Sequence, residues 1–131
     1  MWVEEIIRFP LANVQSHVRY SSRGYAFKIL REDRSVTTSD YGVSSQSGDL
    51  TYHGVIREIF DVQYPGMLGL RCVAFLCDWY DPLVGSGVRH DQFGVTSVHS
   101  RRRLQKYDPF VLASQVDQVS FFFYLKFYFC N

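Results

Sequence analysis

Two aspartates, Asp78 and Asp81, flank Trp79 and Tyr80, and downstream Arg101, Arg102 and Arg103 run together ahead of Lys106 and Tyr107. Carboxylates gathered at a strand end are the raw material of a metal-assisted site. An arginine run suits phosphate or carboxylate, because each guanidinium presents a planar fork of donors, and Tyr107 could stack on a base. The carboxylates make the weaker case. Asp at a strand end is an ordinary turn former, and no third acid stands at a spacing that completes a metal triad. Four cations neutralise only a few phosphates, so nucleic-acid contact through residues 101–107 would be weak and salt-sensitive. A loop kept solvated by its charges accounts for the same residues.

The histidines, His17, His53, His90 and His99, are scattered. His90-Asp91 could set an imidazole against a carboxylate, but no recognisable nucleophile accompanies it. There is no glycine-rich phosphate loop, nucleophile elbow or His-x-x-x-His pair. The sequence therefore marks no catalytic residue, no metal ligands and no cofactor. Trp79, Tyr80, Tyr52 and Tyr64 could line an aromatic cage of the kind that takes methylated lysine, although aromatics in strands are more often core.

The element that must position these groups runs from Thr51 to Asp81 and reads as two strands meeting at Pro65, Gly66 and Gly69. The first arm alternates through Ile56, Phe60, Val62 and Tyr64, with Glu58 as a polar intruder. The second alternates through Val73, Phe75, Cys77 and Trp79, which assigns that face to the core and leaves Tyr80 as a surface candidate. Val55, Ile56, Ile59 and Phe60 also fit a helical face. A strand is preferred because Gly54 precedes the run, Pro65 and Gly66 end it, and period-two matches persist to Tyr64.

Around this hairpin, Gly24 to Leu30 reads as a first strand and residues 31–50 as a polar loop with a short extended piece at Tyr41–Val43. Phe93 to Val98 reads as another strand, His99 to Pro109 as a basic connection, and Phe110 to Ala113 and Val116 to about Phe123 as the last strands. Trp2, Val3, Ile6 and Ile7 have a helix-like spacing that Pro10 stops, giving a short helical turn or an irregular lead-in over residues 1–19. The expectation is an all-β, single-domain, barrel-like (SH3-like) sheet of five to six strands. An α+β fold with a helix at 1–9 or 54–62 is the alternative.

Composition agrees. Aromatics are 17% of 131 residues, with eleven Phe and nine Tyr, which favours strands. The formal charge of only +1 argues against coating nucleic acid by bulk electrostatics. Yet residues 40–82 carry six acids and two bases, whereas residues 83–107 carry five bases and one acid, so a local basic patch is expected. Cys72 and Cys77 are five apart, which puts them on opposite faces of a strand and separates them as ligands or disulfide partners. With Cys130 they read as reduced thiols of a soluble, intracellular protein. The apolar run Phe121–Cys130 contains Lys126 and is shorter than the roughly 20 residues that span a bilayer.

Several blocks taken in order resemble a known family. They are Tyr52-His53-Gly54-Val55-Ile56, Val73-Ala74-Phe75-Leu76-Cys77-Asp78-Trp79-Tyr80-Asp81, Asp108-Pro109-Phe110-Val111-Leu112-Ala113-Ser114-Gln115 and Gln118-Val119. Together they are similar to domain-of-unknown-function family 4216, a plant family found beside or downstream of transposase-like domains of CACTA (En/Spm-type) elements. Gly24-Tyr25-Ala26-Phe27, Thr37-Thr38 with Gly42-Val43, and His99-Ser100-Arg101-Arg102-Arg103 with Lys106-Tyr107 extend the resemblance over residues 20–119. It implies no activity and no catalytic residues. What it implies is a transposon-derived plant sequence acting with a transposase; joined to the lack of any catalytic motif, this gives the reading of a non-catalytic binding or assembly module of a transposase-type protein. The partners would be the transposase polypeptide or, through Arg101, Arg102, Arg103, Lys106 and Tyr107, nucleic acid or chromatin in the nucleus. The alternative is a purely structural or protein-interaction domain, or a transposon remnant; the oligomeric state is not fixed. Residues 120–131 depart from the family pattern, and their Phe, Tyr, Leu and Ser content, all with thymine-rich codons, raises the hypothesis that they are translated from non-coding sequence such as a retained intron.

Overall fold

The computed structural model describes residues 13–30, 40–64, 70–99, 102–104, 109–119, 121–124 and 127–130. Residues 1–12 of the lead-in and the Pro65, Gly66 and Gly69 turn lie outside the described residues, whereas residues 13–17, expected to be irregular, form a strand. Along the chain the strands are β1 (Asn13–His17), β2 (Arg19–Ser22), β3 (Tyr25–Lys28), β4 (Gly42–Ser47), β5 (Leu50–Gln63) and β6 (Arg71–Trp79). There follow β7 (Val88–His90), β8 (Thr96–His99), β9 (Phe110–Leu112), β10 (Asp117–Val119), β11 (Phe121–Tyr124) and β12 (Phe127–Cys130). One 3-10 turn, Ala113–Gln115, is the only helical element among the described residues. The protein is all-β. Residues 54–62, where a helix was the alternative, belong to β5.

The strands form three antiparallel sheets: a six-stranded sheet in the order β10-β4-β5-β6-β9, with β1 also on β5; a four-stranded sheet in the order β11-β12-β8-β7; and the β2–β3 hairpin. Among the described residues twelve strands stand where the sequence marks five or six. The additional ones are short or, like β1, wholly exposed, so no apolar alternation announces them.

The Thr51–Asp81 hairpin is the centre of the molecule, as its patterning predicts. Its first arm, however, contains a bulge. Ile56 lies opposite Cys77, Glu58 opposite Leu76 and Ile59 opposite Phe75, so Arg57 is an extra residue with no partner on β6. The bulge resets the alternation. Ile56 and Ile59 come to the same face, while Val55, Phe60 and Val62 share the other. That reset accounts for the helix-like spacing at 55–60. At the bulge Ile56 accepts from Leu30 N and donates to Tyr41 O, at 2.7 and 2.8 Å, so the chain on either side of residues 31–39 plugs the gap between β4 and β1 along β5.

Both faces of the hairpin are covered. Ile56, Ile59, Phe75, Cys77 and Trp79 pack with Val43, Val111, Val116 and Phe27. The β2–β3 hairpin lies over this face, with the Phe27 and Phe75 rings edge-to-face at 4.9 Å and Tyr20 against Phe75 at 6.2 Å. Its Arg23-Gly24 turn has φ of +53° and +81°, the pairing that closes a two-residue hairpin loop. Arg23 is held there by its guanidinium, which donates to Ala113 O at 2.7 Å and Val116 O at 2.8 Å. On the other face Val55 and Tyr80 pack with Tyr41, Val88 and Val98. Tyr80 is 2% exposed. Its assignment as a surface residue is thereby corrected: the strands β7 and β8 bury the second face that alternation alone leaves open.

Fully burying a side chain of this size contributes about 1.5–3 kcal/mol, so these two layers dominate stability. Gly54 sits opposite Trp79 of the first layer, and a Cβ there would come within 2.7 Å of the Trp79 ring and 2.9 Å of Asp78 O. Neither a buried indole nor a ladder carbonyl can retreat far. Gly54→Ala is expected to lower the free energy of unfolding by about 1–3 kcal/mol, the usual cost of overpacking, measured by urea denaturation.

Candidate functional site

The two candidate groups read from the sequence converge. Arg102 and Arg103 lie against the end of β6, beside Asp78 on the strand and Asp81 just past it. Arg101, Lys106 and Tyr107 lie outside the described residues. The described residues of the connector, 102–104 and Pro109, run along the outer edge of β6: Asp81 N donates to Arg102 O at 2.8 Å, Leu104 N to Trp79 O at 2.9 Å and Cys77 N to Pro109 O at 3.0 Å. Tyr80 and Arg103 form an antiparallel bridge within it. These residues thus add to the pairing that β9 makes with β6.

Their side chains are fastened to the hairpin's carboxylates. Arg103 Nη1 stands 3.2 Å from Asp78 Oδ2, and Arg57 Nε, on the bulge, approaches the same oxygen at 3.4 Å. With side-chain exposures of 55%, 29% and 43% for Arg103, Asp78 and Arg57, these are solvent-screened contacts, each worth about 1 kcal/mol or less. Arg102 Nη1 donates to Ser86 Oγ at 2.9 Å, and Ser86 Oγ donates to Asp81 Oδ2 at 2.8 Å. Asp81 Oδ1 accepts from Leu83 N at 3.0 Å. Asp81 is thus a turn former, and Gly87 packs so tightly on it that a Cβ would fall 2.2 Å from Asp81 O.

The other candidates separate. His90 Nδ1 meets Thr96 Oγ1 at 3.0 Å, while Asp91 Oδ1 accepts from Phe93 N and Val95 N and shapes a turn, so the imidazole does not face that carboxylate. Trp79 and Tyr80 are buried in different layers, which dissolves the cage. Cys72 and Cys77 are both free, opposite Val62 and Ile56 on different faces of β6, as their spacing requires. Burial pushes both thiols up, Cys77 the more strongly. Among the described residues no three His, Cys, Asp or Glu side chains are grouped to hold a metal ion, and no helix is long and apolar enough to cross a membrane.

Two polar groups in β5 escape sequence reasoning. Asp61 is 6% exposed and takes both Nε and Nη2 of Arg71, at 2.8 and 2.6 Å, with His17 Nε2 at 3.6 Å. The guanidinium hydrogen bonds hold its carboxyl below the usual carboxylate range. An acid inside the run Ile59-Phe60-Asp61-Val62 is the available signal, since a buried carboxylate demands a partner. His53 is 9% exposed, and its Nδ1 is buried with no hydrogen-bond partner among the described residues. Burial lowers its pKa, and the nearby His90 of β7 lowers it further.

A family model described as Domain of unknown function (DUF4216) matches residues 60–130, from the end of β5 through β12. No curated protein and no solved structure matches the chain.

His53 sets a pH dependence. Unfolded, its imidazole takes up a proton near its ordinary value of 6.5; folded, it resists protonation. Stability is therefore complete above pH 6.5 and falls as the pH drops below it. Thermal melts between pH 8 and pH 5 are expected to show this loss in the wild type and a flatter profile in His53→Leu; identical profiles would refute the assignment.

Proposed function

We propose, since the chain belongs to the DUF4216 family, that it is a non-catalytic assembly module of a plant, transposon-encoded protein of the transposase type, working in the nucleus. Its role is to hold another stretch of polypeptide. One observation carries this reading: the described arginines of the basic connector spend hydrogen bonds on Ser86 and Asp78 of the same fold. They fasten their stretch of the connector to β6 before they meet any ligand. Exposed apolar side chains on the loops flanking β7, Leu83 at 55%, Val84 at 71% and Phe93 at 81%, offer contacts suited to a polypeptide.

A second reading keeps nucleic acid or chromatin as the partner, through Arg101, Arg102, Arg103, Lys106 and Tyr107. The half-exposed Arg103 side chain favours it, because a guanidinium has more donors than Asp78 uses.

Co-expression with the transposase polypeptide of the same element, beside a salt titration of DNA binding, distinguishes the two. The assembly reading expects co-purification and no DNA affinity at low salt. Phe93→Ser should weaken co-purification while changing stability by no more than about 0.5 kcal/mol. DNA affinity that falls steeply with salt and drops in the Arg101/Arg102/Arg103→Ala variant would give the site to phosphate instead.

A further inference from the structure

At the start of β6 the outer edge of the large sheet opens. The β6–β9 ladder runs from Leu76–Phe110 to Ala74–Leu112 and stops, because the chain then enters the 3-10 turn Ala113–Gln115. Cys77 directs its N–H to the β9 side, onto Pro109 O. Alternate residues of a strand send their backbone groups to the same side, so the N–H groups of Val73 and Arg71 face this edge too. What stands beside them is a cleft of about 280 Å3, whose lining includes Tyr20, Arg71, Val73, Leu112 and Ser114.

Arg71 supplies the charge. Its Nε and Nη2 are taken by Asp61, whereas Nη1 makes no hydrogen bond to a described residue, and the side chain is 54% exposed. On the other side of the 3-10 turn, Arg23 bonds the carbonyls of Ala113 and Val116 and pairs with no described carboxylate. Of the charged side chains only Arg71 lines the cleft, and its uncommitted Nη1 favours an anionic visitor. Pockets that enclose drug-sized ligands begin at about 300 Å3, so the space is small for a nucleotide but suits one or two residues. An open strand edge recruits extended main chain, a guanidinium recognises a carboxylate, and Val73, Leu112 and the Tyr20 ring can enclose a small apolar side chain.

We propose that this cleft captures the C-terminal end of an extended polypeptide. The terminal carboxylate meets Arg71 Nη1, the main chain pairs with the open edge at Val73, and the last side chain lies between Tyr20 and Leu112. The cleft is six residues along β6 from Asp78, roughly 20 Å at about 3.3 Å per residue, so it stands apart from the arginine connector and does not depend on it.

The test uses the 15N-labelled full chain and two pools of pentapeptides randomised at their last three positions, one with free C-terminal carboxylates and one amidated. The free-acid pool is expected to shift the amide resonances of Arg71–Val73 and Ala113–Ser114, and the amidated pool to act at least about ten-fold more weakly. Arg71→Gln removes the charge. Val73→Pro removes the edge donor at a position where proline leaves the β5 ladder intact. Each variant, checked for folding by its own spectrum, should cut the response by a similar factor. Equal shifts from the two pools, shifts confined to other residues, or no shift at all would overturn the proposal.

Discussion

The pairing of β5 with β6, interrupted once at Arg57, is the constraint on which the rest of the structure depends. A fourteen-residue strand with uninterrupted alternation would present one face to one layer along its whole length. The bulge brings Ile56 and Ile59 to the same side and sends Val55, Phe60 and Val62 to the other, so the strand supplies buried residues to both. The β2–β3 hairpin covers the first face, and β7 and β8 cover the second. Each covering element is a small antiparallel unit too short to be stable alone.

The two carboxylates along this ladder show how burial changes what the same group is worth. Asp78 is 29% exposed and meets Arg57 and Arg103 through single oxygen contacts longer than 3 Å. Water competes for both, and the contacts choose the path of the connector more than they stabilise it. Asp61, at 8% side-chain exposure, is engaged by both donors of one guanidinium fork. Removing Arg71 would leave a buried charge uncompensated, which is why a weak-looking surface arginine carries structural weight.

Much of this architecture is legible in the amino-acid order. The hairpin, the core face Val73, Phe75, Cys77 and Trp79, the separation of Cys72 from Cys77 and the all-β class follow from period-two patterning and turn residues. Other parts have no local signature. Alternation identifies a face but does not say whether a second sheet will cover its reverse, so Tyr80 reads as a surface residue until β7 and β8 are placed. The bulge is written as a spacing of three between Ile56 and Ile59, a spacing shared by helices. β1 is held by backbone pairing with every residue exposed, and β2 has Tyr20 as its single core contact, so neither carries an apolar pattern to find. The convergence of Arg103 with Asp78 spans 25 positions and belongs to the topology, as does the cleft beside Arg71.

The placement of β1 has a consequence for motion. Every residue of β1 is exposed, and the strand occupies the same edge of β5 as β4, farther along. No apolar side chain anchors it in either layer. Its amide hydrogens are therefore protected only by the ladder itself and exchange through a local opening that leaves both layers folded. In that open form the edge of β5 from Ile59 to Gln63 becomes an unpaired template for another strand, and His17 withdraws from Asp61 as the edge is bared. At this margin strand exchange requires only a local opening rather than unfolding of the two layers.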